Sequence, residues 1–137
     1  MKKITKALVA ILLIAILSMA NVTAFATDEI ISPRLSHTED GGFSFAARDN
    51  VGYIDATYYG YDSFVRADLN VKVQKRFLLV FWNDVYEWNE SCTDLNGEFY
   101  HEFNIEKSGT YRANFTLTVT GNDGTSDIIT STIEDDN

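Results

Sequence analysis

The chain has 137 residues, 45% of them apolar and 13% aromatic, and its 11 Lys+Arg against 20 Asp+Glu give a formal charge of −9. So acidic a surface repels phosphate backbones and anionic lipid, which argues against nucleic-acid and membrane-surface partners. With one cysteine (Cys92) and two histidines (His37 and His101), an intramolecular disulfide is excluded and no zinc-ligand spacing exists.

Lys2, Lys3 and Lys6 precede an apolar run of 13 residues, Ala7 to Met19, and Ala24-Phe25-Ala26 sets small residues at the −3 and −1 positions of a cleavage site. This is the three-part layout of a secretory signal peptide, and 13 residues fall short of the ~20 that span a bilayer. Residues 1–26 are expected to be cut away between Ala26 and Thr27, leaving a secreted chain of 111 residues and charge −12. No cysteine follows the apolar run to take a lipid, and Ile133-Glu134-Asp135-Asp136-Asn137 carries neither an apolar tail nor a basic cluster. A released protein without stable membrane insertion is the expectation. Lacking a disulfide, it must rest on its hydrophobic core.

Residues 27–42 are polar, punctuated by Pro33 and Gly41-Gly42, and read as a flexible N-terminal arm with a short edge strand at Ile30-Ile31. The domain proper is expected over 43–137. Phe43 to Ala46 is a short first strand closed by Asp49-Asn50. Val51 to Gly60 is a second, with Ile54, Ala56 and Tyr58 on one face and Tyr53, Asp55, Thr57 and Tyr59 on the other. After the turn Gly60-Tyr61-Asp62-Ser63, Val65, Ala67, Leu69, Val71 and Val73 alternate with Arg66, Asp68, Asn70, Lys72 and Gln74.

Phe77 to Trp82 is apolar throughout, and its aromatic and β-branched content favours a strand buried on both sides or turning between sheets. Trp82-Asn83-Asp84-Val85-Tyr86-Glu87-Trp88 spaces its apolar residues by three, which calls for a β-bulge or a single helical turn. Asn89 to Gly97 reads as a polar connection holding Cys92 as a small, partly buried residue. Glu98 to Ile105 is a strand with Phe99, His101, Phe103 and Ile105 on one face, and Glu106 to Gly109 turns into the clearest strand of all. There Tyr111, Ala113, Phe115, Leu117 and Val119 alternate with Arg112, Asn114, Thr116, Thr118 and Thr120. Gly121-Asn122-Asp123-Gly124 is a hairpin signal, and Thr125 to Ile133 closes the chain. About seven short strands, a single proline and no long helical period beyond residue 26 predict an all-β fold, an antiparallel sandwich.

Lys107-Ser108-Gly109-Thr110-Tyr111-Arg112-Ala113 resembles the approach to strand F of immunoglobulin-like domains. The resemblance implies structural roles for Gly109 in the turn and for Tyr111 as a tyrosine corner, its hydroxyl bonded to backbone a few residues upstream. Ala113 stands where those domains carry the bridging cysteine. The chain as a whole resembles a family of small secreted proteins of Gram-positive bacteria whose function is unassigned. The resemblance rests on Ser32-Pro33-Arg34, Val71-Lys72-Val73-Gln74-Lys75, Trp82-x-x-Val85-x-x-Trp88 and Ser108-Gly109-Thr110-Tyr111-Arg112. It implies secretion and a sandwich, and no catalytic residues.

Nucleophilic hydrolysis needs a Ser or Cys beside a His with an orienting acid. His37 sits in the arm and His101 alternates with phenylalanines, so packing or rim roles are expected and no enzyme. Asn122, Asp123 and Asp127 offer oxygen ligands of the kind calcium takes, but a plain hairpin explains them equally well; neither metal nor cofactor is expected. The strongest binding candidates are Tyr53 and Tyr59 with Asp55, together with Trp82 and Trp88, because rigid rings bury much area at little entropic cost. Ordinary cross-strand packing is the competing account of the same rings. The reading is a monomeric, non-catalytic binding or interaction module for an extracellular protein or glycan. The rival is a bacteriocin-like or pore-forming antagonist.

Overall fold

The computed structural model describes residues 34–106 and 108–137. The expected signal peptide, its Ala26/Thr27 junction and the Ile30-Ile31 strand lie outside the described residues. Seven antiparallel strands follow one another: β1 (Thr38–Arg48), β2 (Val51–Gly60), β3 (Phe64–Phe77), β4 (Phe81–Cys92), β5 (Asn96–Asn104), β6 (Thr110–Gly121) and β7 (Ser126–Asp136). They form two sheets, β1-β2-β5 and β4-β3-β6-β7, packed as a sandwich. Constant-type immunoglobulin domains place the fourth strand beside the fifth. Here the tight β3–β4 hairpin holds it on the sheet of the third.

Strand β6 lies between β3 and β7, and its alternation is realised without a slip. Tyr111, Ala113, Phe115, Leu117 and Val119 are all buried, facing Phe45, Ile54, Ala56, Tyr58, Phe99 and Phe103 of the other sheet in one core. The corner is present as well. Tyr111 is 1% exposed, and its hydroxyl donates to the Glu106 carbonyl at 3.0 Å. Lys75 Nζ donates to the same oxygen at 3.1 Å and lies 5.3 Å from the centre of the Tyr111 ring. Gly109, at φ 154°, brings its backbone so close to Lys75 that a Cβ would sit 2.9 Å from Lys75 Cε.

Three expectations are corrected. The arm is ordered from His37 on: β1 begins at Thr38, and a register shift before Gly41 lets the polar start of the strand join β2. What holds it is the Asp127 carboxylate, which accepts the backbone N–H groups of Ser36, His37 and Thr38, the shortest at 2.6 Å. Asn89 to Gly97 is not a free connection either. Strand β4 runs on to Cys92, half-buried against the core, and β5 starts at Asn96. Finally, Phe77 to Trp82 is not buried on both sides. It is the tip of the β3–β4 hairpin, with Phe77, Leu78, Leu79, Val80 and Phe81 all more than half exposed. The pairing of β3 with β6 stops at Lys75–Tyr111, so among the described residues no part of β6 flanks that tip.

Of the two accounts offered for the three-residue spacing, the bulge is the one that forms. The β3–β4 register shifts between Val73 and Gln74, leaving Val85 as the extra residue. The bulge reverses the facing of β4: Trp82 and Asp84 share the outer face with Arg76 and Gln74, while Tyr86 and Trp88 turn inward beside Val73 and Val71.

Candidate functional site

The outward face of the β1-β2-β5 sheet gathers the predicted tyrosines. Strand alternation aims Tyr53, Asp55, Thr57 and Tyr59 away from the core, while Ile54, Ala56 and Tyr58 are fully buried. Pairing with β5 sets Glu102 opposite Tyr53, Tyr100 opposite Asp55, Glu98 opposite Thr57 and Asn96 opposite Tyr59. On the other flank β1 sets the small residues Ala46, Ser44 and Gly42 opposite Tyr53, Asp55 and Thr57, so the rings stand clear there, and Arg48 follows on the same face beside Val51. Tyr59 and Tyr100 are 56% and 55% exposed, Tyr53 partly so.

The three carboxylates Asp55, Glu98 and Glu102 set the field of this face. The Tyr100 hydroxyl donates to Glu102 Oε1. That bond, partial burial and the nearby negative charge push the Tyr100 phenol up to about 12, so it stays neutral and remains the donor to that carboxylate. The result is a platform of aromatic faces edged by hydrogen-bond acceptors.

The other tyrosines of the local cluster go elsewhere. Tyr58 lies in the core, its hydroxyl donating to the Asp94 carbonyl at 2.6 Å, and burial pushes its phenol well above the ordinary value. Tyr61 sits in the β2–β3 turn, 43% exposed. The tryptophans separate too. Trp88 is half-buried at the β4/β5 margin, packed against the core and stacked on His101 at 4.5 Å between centroids. His101 in turn stacks at 5.7 Å on Tyr86, whose hydroxyl meets its Nε2 at 2.5 Å. Trp82 stands on the outer face of the four-stranded sheet, with the guanidiniums of Arg112 and Arg76 over its ring at 4.2 and 5.0 Å. It is no neighbour of Tyr53 and Tyr59.

Both histidines are committed to structure. His37 is 3% exposed, with Nδ1 2.9 Å from Ser63 Oγ, Nε2 2.7 Å from Thr125 Oγ1, and Asp123 Oδ1 3.4 Å away. The series serine, imidazole, carboxylate has the residue types of a nucleophilic triad, yet the ring is reversed and buried. Its Nδ1, not Nε2, meets the serine. It works as a clasp joining the start of β1 to the β2–β3 and β6–β7 turns. A Cβ on Gly121 would stand 2.2 Å from the ring, so only glycine lets it in.

The oxygens offered to calcium are engaged by protein donors. Asp123 Oδ1 accepts the N–H and hydroxyl of Thr125, and Asp127 accepts three backbone N–H groups. Burial alone would push the Asp127 carboxyl up, but those three N–H groups and the nearby imidazole hold it below the usual aspartate range. Among the described residues no group of three His, Cys, Asp or Glu could hold a metal ion.

A cleft of about 450 Å³ opens at the Tyr111 end of the sandwich, between Lys75 and Val85 on one side and Phe103 and Ile105 on the other. Its amine, Lys75, is already spent on the corner carbonyl.

Sequence reasoning missed Tyr100, Glu98 and Glu102. The alternation of β5 puts them opposite Phe99 and Phe103, so their exposure could have been read locally; their place beside Tyr53 and Asp55 could not. No family model, no curated protein and no solved structure matches this chain.

Proposed function

We propose that the chain is a secreted, non-catalytic binding module, released by a Gram-positive bacterium, that contacts an extracellular glycan or protein through the outward face of β1-β2-β5. The observation that carries this reading is the exposure of Tyr59 and Tyr100, more than half each, on one sheet face that also holds Tyr53 and three carboxylates. Rings on a rigid sheet lose little entropy on binding, and each can cover the apolar face of a sugar ring or a side chain. Asp55, Glu98 and Glu102 would accept hydrogen bonds from sugar hydroxyls or from a basic protein patch, and they disfavour any anionic partner.

Secretion is supported by Lys2, Lys3 and Lys6 ahead of the Ala7–Met19 run and by Ala24-x-Ala26. A non-catalytic role is supported by the use made of both histidines, one clasped between turns and one stacked at the sheet margin.

The test is a Tyr53→Ser/Tyr59→Ser double variant, with Tyr100→Ser beside it, screened against a glycan array and intact bacterial surfaces. The expected outcome is binding by the parent chain, loss in both variants and melting midpoints close to the parent's. Binding that survives in both variants, or a parent that binds neither probe, refutes the assignment. A double variant that unfolds would assign the rings to packing, where truncation costs roughly 3–5 kcal/mol.

A further inference from the structure

The apolar tip of the β3–β4 hairpin breaks two local rules at once. Phe77-Leu78-Leu79-Val80-Phe81 is a run of five exposed apolar residues, Leu79 reaching 85%. Leu78 and Leu79 also have φ of 48° and 68°, in the left-handed region that bulky residues resist. The β1–β2 turn shows how this chain meets the same demand where only folding is at stake. There the left-handed positions, φ 52° and 64°, go to Asp49 and Asn50, which tolerate them and are at home in water. Among the described residues nothing buries Leu78 or Leu79, which are 68% and 85% exposed. Residues that cost the free protein twice over are explained by a partner that buries them.

Beyond Lys75 the two strands continue without β6, through the pairs Arg76–Trp82 and Phe77–Phe81, as a two-stranded ribbon. At ~3.4 Å per residue the ribbon carries the tip roughly 7 Å past the sheet before the turn itself is added. At its base the surface changes character. Trp82 lies half-buried there with the Arg76 and Arg112 guanidiniums over its ring, an amphipathic aromatic and two cations where apolar gives way to wet.

We infer that the hairpin tip docks into the surface of a zwitterionic phospholipid bilayer. The apolar length matches the ~5–10 Å depth to which interfacial elements are buried, and an aromatic and cationic girdle at that level is what a bilayer interface accommodates. Five residues fall far short of the roughly 20–30 per side of a standard protein interface, which disfavours a second copy as the occupant. The lipid is zwitterionic because the chain is strongly acidic, Arg76 of the girdle is already paired with Glu134 at 3.3 Å, and Asp84 stands on the same face as Trp82. The contact is superficial, and it leaves the Tyr53/Tyr59 face free on the other sheet.

The test reads the tip itself, in the full chain. In a Trp88→Phe background, Trp82 reports alone, and phosphatidylcholine vesicles brominated on the acyl chains quench a ring held at the interface. Quenching is expected, and Leu78→Asn/Leu79→Gly should need roughly a hundred-fold more lipid, the scale of leaving two leucines in water. Because Asn and Gly accept positive φ, that variant should melt at the parent's midpoint or above it, so lost quenching cannot be blamed on unfolding. Absence of quenching in the parent, or equal quenching in the variant, overturns the inference. A tip-dependent dimer without lipid would assign the surface to a second copy and overturn it too. So would release of trapped dye, which would mean bilayer disruption in place of docking.

Discussion

Replacing Tyr111 by Phe removes one oxygen from the corner and leaves the ring in place. The hydroxyl donates to the Glu106 carbonyl at 3.0 Å, from a side chain that is 1% exposed. Had that carbonyl no other donor, the loss would carry the full penalty of a buried unpaired acceptor, about 1–3 kcal/mol. Lys75 Nζ already donates to it at 3.1 Å. The expected cost is therefore that of one net hydrogen bond, ~1 kcal/mol, equivalent to a fall in melting midpoint of about 4–8 °C for a domain of this size. Lys75→Met alone should cost less, because the parent's ammonium forgoes water to make that exposed bond and little net energy goes with it. The double variant should exceed the sum of the two, since only then does the carbonyl lose both donors. Denaturant melts of the four proteins supply the cycle. An unchanged midpoint in Tyr111→Phe, or strict additivity in the double variant, would refute the shared-acceptor reasoning.

Gly121→Ala should destabilise by about 1–3 kcal/mol or more, because its Cβ would meet the His37 ring at 2.2 Å and that ring is held by Ser63 and Thr125. Denaturant melts of Gly121→Ala with and without His37→Ala check this; a cost that persists in the absence of the ring would place the strain in the backbone instead. Asp127 gives the fold an acid dependence: its carboxyl is held below the ordinary range, so its contribution is complete above the unfolded value of ~3.9 and is lost as pH falls from there through the folded one. Asp127→Asn should lower stability at neutral pH and flatten the loss on acidification, read from melts across about pH 2–7; parallel pH profiles for the two proteins would contradict it.

What the residues determined by themselves was everything with a short range. Strict alternation specified β6 and its core face, because side chains of a strand point to opposite sides whatever the neighbours are. The Gly121–Gly124 turn was legible for the same reason, while the bulge before Trp88 stood beside a helical turn as one of two accounts and the Tyr111 corner followed from the resemblance to immunoglobulin-like domains. Half of the candidate site was readable in this way, since Tyr53, Asp55 and Tyr59 share a strand. Tertiary structure decided the rest. Pairing of β2 with β5 brought Tyr100, Glu98 and Glu102 alongside, from some 40 positions away in the chain. The bulge turned Trp88 toward the core margin, where it is half-buried and stacks on His101, and left Trp82 on the outer face of its sheet. The polar arm became the start of β1 only because Asp127, 90 residues downstream of His37, presents a carboxylate to its N–H groups. Apolar character alone read Phe77 to Trp82 as a strand buried on both sides or turning between sheets, but burial needs a surface to be buried against. Strand β6 begins at Thr110 and its pairing with β3 reaches only to Lys75, so that surface ends before the hairpin does.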